Sequence, residues 1–260
     1  MIRLKSQKNI DLINKLIEII KKLRSPDGCD WDKQQTHKSL TPYLLEETYE
    51  VIEAIENENF TLLQEELGDL LLHVFFQIQI AEESNHFKLQ DVVSGINKKL
   101  IDRHPHIFFD KNDPRWKKTN WELSKKKEKN RKSVLDGVPN GLPEIHKARR
   151  IQEKASSVGF DWNNLNQVIS KVDEEIRELK ESIKINKGIN EEFGDVIFSL
   201  VNLSRHLSIN PSESLNLSIN KFVKRFQRIE KQLNNEKNNM NKLSIEELDE
   251  IWEKNKKKFE

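Results

Sequence analysis

The sequence predicts an all-α protein made of two tandem helical-bundle domains, and three observations carry that prediction. Glycine supplies 8 and proline 7 of 260 residues, below average usages of roughly 7% and 5%. Charged residues reach 33%, and few breakers with many charges suit long, surface-exposed helices. The second half of the chain also repeats the first. Scarce glycine disfavours Rossmann sheets, P-loops and β-sandwiches.

Residues 9–23 set Ile10, Ile13, Leu16, Ile17, Ile20 and Leu23 at helical spacing, and Ser25, Pro26, Asp27 and Gly28 then end the pattern with turn chemistry. From 42 to 57, Leu44, Leu45, Val51, Ile52 and Ile55 step by three and four, and a second such segment covers 61–83. The two read as an antiparallel helix pair jointed near 57–59. A further helix over 89–103 stops at His104, because Pro105 disfavours helical geometry in the residue before it. Residues 111–133 then carry ten Lys/Arg against Asp113, Glu122 and Glu128, ahead of a turn-rich stretch from Gly137 to Pro143. The expected division is an N-terminal domain 1–134 that includes the basic segment, a linker 135–143 and a C-terminal domain 144–260.

Asp30 and Trp31 recur as Asp161 and Trp162, LEETYEVIEAI at 45–55 as DEEIRELKESI at 173–183, and EELGDLLLHVF at 65–75 as EEFGDVIFSLV at 191–201. The offsets are 131, 128 and 126, so short loop indels separate equivalent helices. Lys99 and Arg103 match Lys221 and Arg225, and Trp121 with Lys125 matches Trp252 with Lys256.

The chemistry sits in repeated carboxylates. Glu46, Glu47 and Glu50 share a helical face, as do Glu66 and Asp69 on the next helix; the second copy has Glu174, Glu175 and Glu178, then Glu192 and Asp195. In both copies the second pair leads into an apolar helix, where solvated charge is out of place. Facing carboxylates in a half-buried groove repel one another unless a cation neutralises them, which points to a divalent metal. Oxygen-only donors select Mg²⁺ or Mn²⁺, and a di-iron site would want Glu-x-x-His pairs that are missing here. Gly68 and Gly194, inside otherwise strong helices, suggest a close approach by another group. Lys221 and Arg225, four apart, suit a polyphosphate.

These residues resemble the MazG nucleoside triphosphate pyrophosphohydrolases. The resemblance extends to GCDWDKQQT near the start, RHPHIF at 103–108, ARRIQEKASSVGFDW at 148–162, KFVKR and Trp252. It implies an all-α homodimer that hydrolyses nucleoside triphosphates to the monophosphate and pyrophosphate with Mg²⁺. It further implies metal binding by Glu175, Glu178, Glu192 and Asp195, nucleotide contacts from Lys171, Lys221, Arg225 and Trp252, and activity in the C-terminal domain. Glu174 is a candidate for orienting the attacking water.

An asymmetry in the sequence points the same way. Seven residues past the second-pair aspartate the copies carry Phe76 and Asn202, and four past it His73 and Ser199. Small polar groups leave room for a sugar or base, whereas phenylalanine fills it. Asn202 is therefore a substrate-contact candidate, and the first copy, with Glu46, Glu47, Glu50, Glu66, Asp69, Lys99 and Arg103, reads as a second, less active site. The competing expectation is a noncatalytic helical interaction module using the basic segment.

Lys+Arg number 44 against 43 Asp+Glu, so no global field favours nucleic acid and no nucleic-acid partner is expected. The apolar stretch 70–81 is too short to span a bilayer, so no membrane association is expected. Cys29 is the sole cysteine and the start lacks signal-peptide character, which fits a reducing cytoplasm.

Overall fold

The computed structural model describes residues 7–116, 132–235 and 240–257. Among them are eleven α-helices, one 3₁₀ turn (Met240–Lys242) and no strand. The first six helices are α1 (Gln7–Arg24), α2 (Asp30–Gln34), α3 (Thr41–Glu56), α4 (Phe60–Glu83), α5 (Leu89–Arg103) and α6 (Pro105–Phe108). The rest are α7 (Glu144–Ser156), α8 (Leu165–Ile185), α9 (Ile189–His206), α10 (Pro211–Asn235) and α11 (Ile245–Lys257). Every helix expected from periodicity is present, within a residue or two of its expected ends. Trp121, Lys125 and most of the basic segment lie outside the described residues. No helix among the described residues is long and apolar enough to cross a membrane.

The chain separates into two compact units, Met1–Lys118 and Thr119–Glu260. The break falls ahead of the glycine- and proline-rich stretch at 137–143. Residues 132–136 are bound into the second unit by Lys154, whose buried ammonium donates to the carbonyls of Val134 at 2.9 Å and Asp136 at 3.4 Å.

Each unit is organised around a helical hairpin. In the first, α3 and α4 are joined by three residues. Glu58 adopts a left-handed φ of 52° and the Asn59 N–H closes on the Ala54 carbonyl at 2.9 Å. The Asn59 side chain then accepts from the Leu62 N–H and caps α4. In the second unit α8 and α9 are joined by 186–188. Asn186 and Gly188 have φ of 52° and 74°, and the Lys187 N–H closes on the Ser182 carbonyl at 3.1 Å. Asn164 caps α8 by accepting from the Gln167 N–H. Three-residue joints leave each pair no option but antiparallel packing, which sets the two carboxylate-bearing faces against one another.

The core of the first unit is Ile20, Leu40, Phe76 and Ile80, with Leu16, Leu72 and Phe75 against it. Gly28 is required in the turn after α1. Its N–H bonds the Ser25 carbonyl, and a Cβ there would fall 2.1 Å from the Leu23 carbonyl oxygen. In the second unit Val168, Val172 and Val201 are buried on α8 and α9, and Ile229 and Leu233 on α10.

Within the chain itself, no group approaches Gly68 or Gly194 closely. A Cβ built on either meets nothing within 4 Å. Their faces are open, and they run alongside exposed Leu67 and Leu71 on α4 and exposed Phe193 and Ile197 on α9.

Candidate functional site

Two clusters of metal-capable side chains occur among the described residues, one on each hairpin. In the first, Glu47 of α3 meets Glu66 and Asp69 of α4; in the second, Glu175 of α8 meets Glu192 and Asp195 of α9. Within each cluster the three ligand atoms all lie within 4.8 Å of one another. Helical spacing explains the pairing on α4 and α9, because residues three apart share a face. The third carboxylate arrives only because the hairpin packs the neighbouring helix against that face.

The electrostatics match carboxylates that crowd and repel one another. Burial, then the nearby Glu178, Asp195 and Glu175, pushes the Glu192 carboxyl above the ordinary glutamate range. In the first unit burial pushes up Glu47 and Glu66, helped by the neighbouring acids. Glu50 stands beside both Glu47 and Glu66 and helps to raise their carboxyls, so it borders its cluster. Glu178 is exposed and acts on Glu192 through its charge. Glu46 is exposed on α3.

The clusters differ at one position. Lys171, one turn before Glu175, places its ammonium 2.7 Å from Oε1 of both Glu174 and Glu175. These hydrogen bonds hold the Lys171 ammonium well above the ordinary lysine range and the Glu174 carboxyl below its own. The equivalent residue on α3 is Tyr43, so the first cluster has no such cation.

Beyond the aspartates the side chains of the two copies differ. Phe76 is buried in the core beneath the Arg24 guanidinium, which stands 5.4 Å from its ring centre. His73 is buried with no partner for Nδ1, and burial lowers its pKa against the opposing pull of Asp69. Ser199 is buried and donates to the Val196 carbonyl at 2.9 Å. Asn202 is half-buried and accepts from Arg205 at 2.9 Å.

The cations expected near the phosphates are on α10, which packs chiefly on α11 and α7. Lys221 is exposed and Arg225 half-buried, with the Arg225 guanidinium 5.9 Å from the Trp252 ring centre. Trp252 also packs on Phe222 at 5.1 Å, so its ring fastens α11 to α10. In the first unit Lys99 and Arg103 lie on α5, the former exposed and the latter half-buried.

Two features were not singled out from the sequence. Arg205 pairs with Asp161 across 44 residues, a separation that no local pattern reveals. Gln152 is buried on α7, donates to the Phe198 carbonyl at 2.9 Å, and has no partner for Oε1.

Helical hairpins bring three carboxylates together once in each half of the chain, an all-α arrangement able to hold a divalent cation in each copy. The model of the MazG nucleotide pyrophosphohydrolase domain matches residues 35–108. The nucleoside triphosphate pyrophosphohydrolase/pyrophosphatase MazG of Thermotoga maritima is 47% identical over 247 residues, covering 94% of this chain and 96% of that protein. The nucleoside triphosphate pyrophosphohydrolase of Escherichia coli K12 is 38% identical over 255 residues, covering 94% and 97%. YabN of Bacillus subtilis is 42% identical over 241 residues, 90% of this chain and 49% of that protein. The chain belongs to the MazG family of nucleotide pyrophosphohydrolases.

Proposed function

We propose that the protein hydrolyses nucleoside triphosphates to the monophosphate and pyrophosphate with Mg²⁺, or Mn²⁺ in its place, with broad tolerance of base and sugar, as cytoplasmic nucleotide-pool housekeeping. The observation that supports this best is the convergence of Glu175, Glu192 and Asp195 within 4.8 Å of one another. Three carboxylate oxygens and no nitrogen or sulfur donor suit a hard cation that keeps open positions for phosphate oxygens. The raised Glu192 carboxyl marks a repulsion that such a cation relieves. Glu175, Glu178, Glu192 and Asp195 are the residues that hold it. When bound, Mg²⁺ supplies charge neutralisation for an in-line displacement at the α-phosphorus.

The chain's own residues do the rest. Lys171 offers its ammonium to a phosphate oxygen, and Glu174 beside it orients the attacking water. Lys221 and Arg225 stabilise the departing pyrophosphate, and Trp252 stacks on the base, a contact tolerant of base identity. Asn202 contacts the nucleoside. Chemistry belongs to the C-terminal domain, because Phe76 and His73 fill the corresponding space in the first copy, whose carboxylates form a less active site.

A homodimer accounts for the exposed apolar rows. Ile169, Ile176 and Ile183 recur seven apart on α8 and are all exposed, as are Phe193, Ile197 and Leu200 on α9. Monomers rarely leave such rows uncovered, and a second copy of the chain is the occupant we assign.

Product identification tests the reading. With Mg²⁺ and a panel of nucleoside triphosphates, the expected products are monophosphate and pyrophosphate in equal amounts. Diphosphate and orthophosphate instead would overturn it.

A further inference from the structure

Asn202 lies two turns beyond Asp195 on the same face of α9. Its Oδ1 accepts from Arg205 twice, from Nε at 3.2 Å and from Nη2 at 2.9 Å. A guanidinium has donors and no acceptor, so a carboxamide beside it must turn its oxygen inward. The Nδ2 group of Asn202 therefore turns away from Arg205, where it has no partner among the described residues.

Arg205 is itself fixed. Nη1 donates to Oδ2 of Asp161 at 2.7 Å and Nη2 to Oδ1 of the same carboxylate, a two-pronged pair. The side chains are only 15% and 22% exposed. Asp161 is held in turn by the Trp162 N–H at 2.9 Å and by His206 Nε2 at 3.0 Å. The Arg205 hydrogen bonds keep the Asp161 carboxyl well below the usual carboxylate range. Among the described residues of the first unit there is no equivalent pair: Phe76 and Gln79 replace Asn202 and Arg205, and Asp30 pairs locally with Lys33.

We infer that Asp161 and Arg205 are positioning residues that fix Asn202 with its N–H donors toward the bound nucleotide, so that the site recognises a hydrogen-bond acceptor on the nucleoside part of the substrate. The inference rests on the reading that nucleoside triphosphates occupy the second-copy carboxylates. It adds to that reading the direction of the recognition. Asn202 donates, and a substrate presenting only a donor there is discriminated against.

The test is steady-state turnover by the full chain with Mg²⁺ saturating. The proteins are the wild type, Asn202→Ala, Asn202→Asp, Arg205→Met, Arg205→Lys and the double variant Asn202→Ala/Arg205→Met. Loss of one hydrogen bond to substrate is expected to raise KM about tenfold with kcat nearly held. Asn202→Ala and Arg205→Met should each do so, and the double variant should be no worse than either alone, because Arg205 acts through Asn202. Asn202→Asp still satisfies Arg205 but offers no donor, and its KM should rise at least as far. Arg205→Lys keeps a cation without the fork and should lie between. The substrate arms are 2′-deoxy, 3′-deoxy and 2′,3′-dideoxy nucleoside triphosphates and a set of bases. A wild-type preference that vanishes in Asn202→Ala identifies the acceptor as sugar or base. Effects that multiply in the double variant would overturn the inference, as would a Tm loss in both Arg205 variants with KM unchanged, or an Asn202→Asp enzyme that binds like wild type. Any of these with active wild type removes the inference alone, whereas wild type inert on every nucleotide removes the functional reading as well.

Discussion

Lys171 and Glu175 stand one turn apart on α8, and the ammonium of the first lies 2.7 Å from Oε1 of the second. A carboxylate of the candidate metal cluster is thus already paired with a cation of the same chain. The twin cluster has Tyr43 at that position and lacks this partner.

A divalent ion entering the second cluster meets the Lys171 charge at close range. Lys171→Met should therefore tighten Mn²⁺ binding in the absence of nucleotide, by up to about tenfold. The same variant should raise KM for nucleoside triphosphates, because the phosphate loses a cation. Calorimetric titration checks the first effect and turnover the second. Weaker metal binding in the variant would place Lys171 as a support for Glu175 instead.

The clustered carboxylates should be indispensable one at a time. Glu175→Gln or Asp195→Asn is expected to lower kcat by at least ~10²-fold, the scale seen when a preorganised electrostatic group is lost from a site. Helical circular dichroism should stay intact, since both side chains face the cluster and not the apolar core. Near-normal turnover in either variant would refute the ligand assignment.

The two copies should respond unequally. Converting Glu47 and Glu50 together to Gln should change triphosphate turnover little, because Phe76 occupies the core position that Asn202 leaves polar. Converting Glu175 and Glu178 together should abolish it. Side-by-side kcat values, with folding verified for both double variants, decide the matter; equal losses would mean that the two sites work jointly.

The raised Glu192 carboxyl links stability to pH and metal. A carboxyl raised in the folded state binds its proton more tightly there than in the unfolded chain, so stability falls as pH climbs from the unfolded value of about 4.3 through the folded one. Without metal, Glu192→Gln should melt above wild type at about pH 7, and that advantage should fade toward about pH 4, where Glu192 is protonated in both states. Saturating Mg²⁺ should reverse the order, because wild type gains ligand stabilisation that the variant cannot match. Thermal melts across pH, with and without Mg²⁺, measure all three comparisons. A variant that melts below wild type in every condition would show that Glu192 contributes through packing.

Helix positions, the short joint at 57–59, the duplication and the carboxylate faces were legible in the chain itself. Each follows from spacings of three and four residues, capping side chains and breakers, which act within a turn or two of where they stand. The difference between Phe76 and Asn202 at equivalent positions is likewise read directly from the chain. Local spacing could not choose among carboxylates sharing a face. Only the packing of α3 on α4 and of α8 on α9 selects Glu47 and Glu175 as the residues that meet the opposite pair, leaving Glu50 and Glu178 beside them. The open surroundings of Gly68 and Gly194 within the chain are likewise a tertiary outcome. So is the pairing of Arg205 with Asp161 across 44 residues. Helical phase fixes the direction in which a side chain leaves its own axis, but the distance to a group on another helix depends on how the intervening cores pack.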